Sequence, residues 1–178
     1  MYKQLLFLFF ITFLSYGQQN QWSIDSTASS VQYKGDHVLH SWEGLNEKVY
    51  GVAITNEAKN GIDQLAILVY VRDFDSNNSG RDAHALEILE ALKYPEIRFY
   101  SNEIEILEEQ MILNGSFDFH GNKIEKKITA ALKQKDSEWK IQGTFQLTPT
   151  DFKIDLPAFL SIKMKDLLEI NYSIVLKK

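Results

Sequence analysis

The sequence predicts an all-β protein with one short helix near residues 82–93, folded as an antiparallel β-barrel of about eight strands. Consecutive segments alternate apolar and polar residues with a period of two, which is typical of strands that bury one face. The turns between them are short, so neighbouring strands pair antiparallel. One helix cannot cover so many apolar faces, and the sheet must therefore cover itself. An ordered series of strands favours a barrel, with a β-sandwich as the alternative.

The N-terminus carries the pattern of a secretory signal peptide, predicted at residues 1–17 and followed by one domain at 18–178. Lys3 precedes an apolar run at 5–14, and Gly17 ends a group of small residues suited to cleavage. The run is shorter than an ordinary transmembrane helix, and no other segment approaches spanning length. We therefore expect a periplasmic or secreted protein without an integral membrane span. A retained N-terminal anchor is the alternative.

Composition excludes several classes of protein. The 178-residue chain has no cysteine, which rules out a disulfide framework and a lipid-modified cysteine. Its formal net charge is −5, without a basic patch, so we expect no nucleic-acid binding and no attraction to anionic lipid surfaces. Hydrophobic residues make up 44% of the chain, enough for a sizeable core.

In the first half of the domain, the sequence pattern predicts four strands and a loop. The loop at 37–44 carries His37 and His40. The strand at 62–71 is apolar on both faces, which indicates that the helix covers its outer face. The predicted strands lie at 22–25, 31–37, 49–55 and 62–71.

The helix has a recognisable start and stop. Asp82 follows Ser79-Gly80 and occupies the position expected of an N-cap. Leu86, Leu89 and Leu92 recur every three residues and predict one apolar side. Pro95 cannot continue a helix, so the chain turns there into a strand.

The second half has the clearest alternation, and its inward positions are the candidate ligand contacts. Gly115, Gly143 and Ala130 lie among them and would leave room inside the barrel, whereas Lys126 interrupts the apolar face. The alternative is that the glycines mark bends and that the rings fill the lumen themselves. The inward candidates are Phe99, Leu113, Phe117, Phe119, Ile128, Trp139, Phe145 and Tyr172.

Six short motifs occur in order, and together they resemble the YceI-like family from Trp22 to the C-terminus. The resemblance implies a lipocalin-like antiparallel barrel that sequesters an isoprenoid or another long-chain lipid. It also implies export and, by analogy, a homodimer. The motifs are Trp22-Ser-Ile-Asp25, Ser30-Val-Gln-Tyr33 with His37, Arg81-Asp82-Ala-His84, Lys93-Tyr-Pro-Glu-Ile-Arg-Phe-Tyr-Ser101, Asn114-Gly-Ser-Phe-Asp-Phe-His-Gly121 and Thr150-Asp-Phe152.

The four histidines allow three interpretations. His37 and His84 could meet the polar head of a ligand, and we count both as candidate binding residues. They could instead hydrogen-bond loop backbone near the barrel mouth, with His120 facing solvent. Zinc binding by His37, His40 and His84 would need the fold to bring them together, and we assign no metal site.

No catalytic motif is present: the chain lacks a cysteine nucleophile, a Gly-x-Ser-x-Gly elbow, a phosphate loop and a His-Glu-x-x-His helix. We predict a non-enzymatic protein that binds and sequesters or carries an isoprenoid, a quinone-like molecule or a fatty-acid-derived lipid. We expect no cofactor other than such a lipid. The alternatives are a filled barrel with a stress-response or interaction role and a hydrolase.

Overall fold

The computed structural model of the protein describes residues 20–56 and 60–178, so the predicted signal peptide at 1–17 lies outside the described residues. Within that part the chain forms twelve strands and one α-helix, and two short 3-10 turns follow β5 and β9. The helix α1 is Ser79–Ile88, and the 3-10 turns are Val71–Asp73 and Pro149–Phe152. The strands are β1 Asn20–Ile24, β2 Ser30–His37, β3 His40–Asn46, β4 Tyr50–Asn56, β5 Gly61–Tyr70, β6 Glu96–Leu107, β7 Gln110–Phe119, β8 Asn122–Lys135, β9 Glu138–Leu147, β10 Ala158–Phe159, β11 Ile162–Lys163 and β12 Leu168–Lys177.

Eight antiparallel strands close into a barrel, which confirms the predicted fold class over the sandwich. They follow one another in the order β1, β4, β5, β6, β7, β8, β9 and β12, and β12 pairs back with β1. The closing seam is short, with Ser23 opposite Lys177 and Ile24 opposite Leu176. Period-two alternation is visible in the burial itself, since Met111, Leu113, Gly115, Phe117 and Phe119 of β7 are all buried.

Strands β1 to β4 form one long hairpin, in which β1 and β2 make one arm and β3 and β4 make the other. This hairpin contributes to both the wall of the barrel and its mouth. β1 pairs with β4 near the base, and β2 pairs with β3 near the tip, where His37 lies opposite His40. β12 pairs with β2 through Leu168–Ser173 and reaches β1 only at its end. The prediction of a loop at 37–44 was wrong. The inward positions of β3 are His40, Trp42 and Gly44. These residues do not form the aliphatic pattern by which a half-buried strand is recognised in a sequence.

The helix begins and ends earlier than the sequence predicts. Asn78 is the N-cap, and its side-chain oxygen accepts a hydrogen bond from the Arg81 amide at 3.0 Å. Asp82 lies in the first turn instead and accepts hydrogen bonds from the amide and hydroxyl of Ser76 at 3.1 and 2.6 Å. Leu92 lies beyond the helix and is fully exposed. The predicted apolar side therefore stops at Leu89.

The helix lies across the barrel mouth rather than over the outer face of β5, where we predicted it. Leu86, Ile88 and Leu89 are partly buried against the core. On β5, Leu65 and Val69 point into the barrel and are buried, while Ala66 and Leu68 on the outer face remain half-exposed.

The end of the barrel opposite the mouth is filled by its own side chains. The Trp22 and Trp139 rings contact each other with centroids 5.2 Å apart, and Met111, Leu132 and Leu176 are buried around them. These five side chains line neither of the two cavities described below.

Candidate functional site

A cavity of about 110 Å³ lies inside the barrel, and we call it the lumen cavity. It is lined by Phe74 and by inward side chains of β2, β5 to β9 and β12, all of them apolar except Tyr172. The Phe99, Phe117, Phe145 and Tyr172 rings form a continuous row, with successive centroids 4.8, 5.3 and 5.7 Å apart. A cavity with so few polar partners is a poor site for ordered water.

Two of these rings pack directly against glycine residues. A Cβ atom at Gly115 would lie 2.5 Å from Phe99 Cζ, and one at Gly143 would lie 2.5 Å from the Tyr172 hydroxyl. The rings therefore lie close over the backbone of the neighbouring strands. Both interpretations of the glycines hold in part, because the rings occupy the space above them and the lumen cavity still remains beside the rings.

Tyr172 carries the one polar side-chain atom of the lumen cavity. Its hydroxyl is buried and has no hydrogen-bond partner among the described residues. Burial raises the pKa of Tyr172 to about 12, because the charged phenolate would lose its hydration. A tyrosine hydroxyl is protonated near neutral pH even at its ordinary pKa of about 10, so this one is too.

A second and larger cavity, the mouth cavity, measures about 370 Å³, a size typical of small-molecule sites. Three parts of the chain supply most of its lining, and the segment after β5 adds Val71, Arg72 and Phe74. The β2–β3 hairpin contributes Tyr33, His37, His40 and Trp42; helix α1 contributes Arg81, Asp82, His84 and Leu86; and the segment between β9 and β12 contributes Pro149, Ile154 and Met164.

On the hairpin side of the mouth cavity, three aromatic side chains lie in a row. His40 lies between His37 and Trp42, at centroid distances of 5.6 Å from each. Gly35 lies directly opposite Trp42, and a Cβ there would come within 2.7 Å of the indole ring. Burial raises the pKa of the Tyr33 hydroxyl, and the nearby Asp82 carboxylate adds to this.

Polar and charged groups of the helix face the same cavity. The Arg81 guanidinium donates a long hydrogen bond of 3.4 Å to Ser76 O. Asp82 is held by Ser76, as described above. This wall could take the polar end of a ligand, whereas the lumen cavity could take only an apolar part.

Phe74 lies on the boundary and lines both cavities. The next residue, Asp75, pairs with Leu45 of β3 through two backbone hydrogen bonds of 2.9 Å. The Phe74 ring packs edge-on to Tyr33, with centroids 5.6 Å apart. A well-fixed backbone therefore holds one aromatic side chain between the mouth and the lumen.

The histidines lie in different surroundings. His37 accepts a hydrogen bond from the Leu39 amide at 3.3 Å, and its Nε2 lies 3.0 Å from Ile162 O, which confirms the predicted backbone contact. His84 is mostly exposed and lies 3.8 Å from Glu87.

His120 does not face solvent as predicted. It is largely buried: its Nδ1 lies 3.1 Å from Phe152 O, and its Nε2 lies 3.1 Å from a Glu90 oxygen, outside hydrogen-bond geometry. Within residues 20–56 and 60–178, no group of three or more histidines and acidic residues is arranged to hold a metal ion.

The candidate contacts fall into three places. Phe99, Leu113, Phe117, Ile128, Phe145 and Tyr172 line the lumen cavity, and Phe119, His37 and His84 line the mouth cavity. Trp139 packs in the floor and lines neither cavity. Sequence reasoning missed Phe74, Tyr33 and Trp42 as cavity residues. Across the β2–β3 pair, Tyr33 lies opposite Gly44 and Trp42 lies opposite Gly35. This pairing of an aromatic ring with a glycine is the sequence signal that could have identified Tyr33 and Trp42.

No helix in the described part of the chain combines the length and the apolar character needed to cross a membrane.

Comparison with known proteins identifies relatives along nearly the whole domain. The model of the YceI-like domain matches residues 22–176. A UPF0312 protein of Pectobacterium carotovorum subsp. carotovorum (strain PC1) is 25% identical over 146 residues, which cover 75% of this chain and 76% of the relative. A UPF0312 protein of Enterobacter sp. (strain 638) is 26% identical over 115 residues, covering 61% of this chain and 59% of that protein.

Solved structures share the fold at low sequence identity. Burkholderia cenocepacia BcnA superposes with a TM-score of 0.75 at 18% identity, covering 85% of this chain and 98% of that one. A polyisoprenoid binding domain from Saccharophagus degradans, implicated in plant cell wall breakdown, gives a TM-score of 0.72 at 10% identity, with coverage of 88% and 97%. The Campylobacter jejuni YCEI protein gives 0.63 at 19% identity, with coverage of 76% and 84%.

Proposed function

Because the chain belongs to the YceI-like domain family, we propose that it binds and sequesters or carries a long-chain apolar molecule inside the barrel. The ligand class is an isoprenoid, a quinone-like molecule or a fatty-acid-derived lipid. The apolar chain enters the lumen cavity, and the polar end remains in the mouth cavity.

The observation that carries the proposal is the lining of the lumen cavity. A closed barrel surrounds it, and Tyr172 supplies its one polar side chain. Transfer of each CH₂ group from water to such surroundings contributes about 0.8 kcal/mol. A hydrocarbon chain therefore needs few polar contacts to bind with useful affinity.

The arrangement of the two cavities supports a defined orientation. The helix and the hairpin place Arg81, His37 and His84 at the mouth, where a polar end can keep contact with water. Below Phe74 the walls offer apolar contact to a tail. The solved polyisoprenoid binding domain of the same fold supports the ligand class at the level of the family.

We propose binding rather than catalysis as the activity. Apart from Tyr172, the candidate contacts of the lumen are hydrocarbon side chains, so the lumen cavity holds no paired acid and base of the kind that an acyl-transfer or hydrolytic site needs. A hydrolase would require turnover of ester substrates that is lost with one named residue.

Export and homodimerisation remain part of this proposal. N-terminal sequencing of protein recovered from the periplasm or the medium tests cleavage after residue 17, and light scattering tests the dimer. Neither result alters the lumen argument.

Displacement of a fluorescent fatty acid by geraniol, farnesol and geranylgeraniol tests the binding function. We expect displacement from the wild-type protein and little probe binding by Phe145→Asp, which puts a carboxylate into the lumen. Gln146→Asp is the matched control, because it introduces the same group at the next, exposed position of β9.

Circular dichroism establishes that the variants are folded. Phe145→Trp provides a second variant, since it fills space without adding charge and should also weaken binding. The proposal is wrong if the wild-type protein binds no probe, or if folded Phe145→Asp and Phe145→Trp bind it as well as the wild type does.

A further inference from the structure

Two hairpin turns at the rim of the barrel mouth expose aliphatic side chains. Val38 and Leu39 form the turn between β2 and β3 and are 69% and 60% exposed, and Leu160, in the turn between β10 and β11, is 74% exposed. Among the described residues, these are three of the four most exposed large hydrophobic side chains. We call these two turns, at 38–39 and 160–161, the rim tips.

We propose that the rim tips insert into the headgroup region of a phospholipid bilayer, so that the ligand passes directly between the bilayer and the mouth cavity. Aliphatic side chains on protruding turns gain free energy when they leave water for the boundary between headgroups and acyl chains. Passage of the ligand rests on the proposed function, whereas docking of the tips does not.

Hydrogen-bond contacts hold the two rim tips side by side. His37, which precedes the first tip, places its Nε2 3.0 Å from Ile162 O, just after the second. The Lys165 amide donates a hydrogen bond of 2.9 Å to Asp36 O. Ile162 is itself 46% exposed. The two turns therefore present one apolar patch rather than two separate ends.

The geometry of the turns does not require aliphatic residues. Leu160 and Ser161 both have positive φ angles, of 50° and 65°, a conformation that favours asparagine, aspartate or glycine in a two-residue hairpin turn. Val38 and Leu39 stand where hairpin turns usually carry small or polar residues. Their side chains do not pack in the core, so a contact outside the chain is the remaining reason for their apolar character.

The rim tips adjoin the entrance of the proposed ligand site. His37 and His40 flank the first tip, Ala158 lies two residues before the second, and all three line the mouth cavity. A long-chain lipid resides in membranes, because transfer of its chain into water is unfavourable. A mouth whose rim enters the bilayer lets that chain reach the cavity without crossing water.

The size of the patch favours a bilayer over a protein partner. A standard protein interface takes about 20–30 residues from each side, whereas the rim tips offer a few side chains on two turns. The outer wall of β2 and β12 does not extend the patch, because it presents Gln32, Asn171 and Ser173. Small apolar projections of this kind suit shallow insertion between lipid headgroups.

The charge around the rim tips is compatible with lipid phosphate groups. Residues 36–41 and 157–165 contain Lys163 and Lys165 and one acidic residue, Asp36, although the whole chain has a formal net charge of −5. The tips can therefore approach a phospholipid surface without the repulsion that the rest of the chain would meet. Because the chain as a whole is acidic, apolar insertion supplies the main free energy of docking.

A fluorophore on each rim tip tests docking. The chain has no cysteine, so one introduced cysteine carries an environment-sensitive label at a single site. Leu39→Cys and Leu160→Cys label the tips, and Leu107→Cys is the matched control, an exposed leucine of the β6–β7 hairpin at the opposite end of the barrel. Protein purified from its own host has its native N-terminus. We expect phosphatidylcholine vesicles to shift the emission of both tip labels to shorter wavelength and to leave the label at 107 unchanged.

An unchanged emission from both tip labels, or an equal shift at position 107, would overturn the inference. A shift that depends on protein concentration without vesicles would also overturn it, because a second copy of the chain would then cover the tips. Displacement of the fluorescent fatty acid by isoprenoid alcohols needs no vesicles. Failure of docking is therefore distinguishable from failure of the proposed function.

Transfer of the fluorescent fatty acid from phosphatidylcholine vesicles to the protein tests the passage of a ligand. The double variant Leu39→Ser with Leu160→Ser should slow transfer about tenfold, because two aliphatic side chains no longer insert, and should keep its affinity in solution. Leu107→Ser should transfer at the wild-type rate. A transfer rate that is independent of vesicle concentration, or that is unchanged in the double variant, would overturn the inference.

Discussion

The lumen and the mouth of this barrel are adjacent cavities built on different principles. Alternate residues of regular strands line the lumen, so its side chains are apolar and closely packed. The mouth is assembled mainly from a hairpin tip, a short helix and an irregular segment, and it holds His37, His40, His84, Trp42 and Arg81. If the protein binds a lipid as proposed, we expect the lumen to supply most of the binding free energy and the mouth to discriminate among polar ends.

The largest effect should come from charge in the lumen. Phe117 is buried between the Phe99 and Phe145 rings. Phe117→Asp should destabilise the protein by about 3–5 kcal/mol, because it removes ring contacts and buries a carboxyl group without partners. His84→Asp, at an exposed site of the mouth, should change the free energy of unfolding little. Urea unfolding compares the two, and equal losses would refute the contrast between the cavities.

A smaller effect is expected at the boundary between the cavities. Phe74→Ala should cost about 2 kcal/mol, less than a fully buried ring, because Phe74 is half-exposed. It should also join the two cavities and shift the preference among geraniol, farnesol and geranylgeraniol toward the longest. Phe145→Ala enlarges the lumen alone and serves as the control. An unchanged preference in Phe74→Ala would show that this ring does not limit the tail.

Arg81 should affect only the selection of the polar end. Arg81→Gln should weaken binding of a fatty acid by up to about fivefold, as expected for a partly exposed charge, and leave the affinity for the corresponding alcohol unchanged. Titration calorimetry with both ligands measures the two affinities. A similar loss for the alcohol would mean that the substitution disturbs the mouth rather than removing a charge contact.

The smallest effect concerns the seam that closes the barrel, away from both cavities. Lys177 Nζ lies 2.6 Å from an Asp25 oxygen, and this hydrogen bond, supported by Thr27, lowers the pKa of Asp25 from 3.8 to about 2. A carboxyl whose folded pKa is lowered stabilises the protein above its unfolded pKa, and this contribution is lost as the pH falls from about 3.8 to about 2.

Asp25→Asn should therefore be slightly less stable than the wild type at neutral pH, and the two should converge across that acid range. Thermal melts over the pH series measure the difference. A difference that persists unchanged at the acid end would contradict the assignment to the Asp25 carboxylate.

The lumen could be predicted from the sequence because strand geometry imposes it. Leu113, Phe117 and Phe145 alternate with polar residues, and a closed barrel leaves such residues only one face to occupy. The mouth could not be predicted in the same way. Phe74 lies in an irregular segment where no period marks its direction, and its position depends on the pairing of Asp75 with Leu45, far away in sequence.

The two clearest errors have the same physical origin. We predicted a loop at 37–44 because β3 presents histidine, tryptophan and glycine inward, where a half-buried strand normally presents aliphatic residues. We predicted Asp82 as the cap because a carboxylate after Gly80 suits that role, yet Asn78 caps the helix and Asp82 binds Ser76. Both errors lie in the mouth, where tertiary contacts override local patterns.

The most direct test of the lipid-binding claim is mass spectrometry of the organic extract of the protein purified from its own host. We expect the wild type and Gln146→Asp each to release a long-chain apolar molecule in near-stoichiometric amount, and Phe145→Asp to release none. Folded wild-type protein that yields no such molecule, or Phe145→Asp that yields as much as the wild type, would contradict the lipid-binding claim.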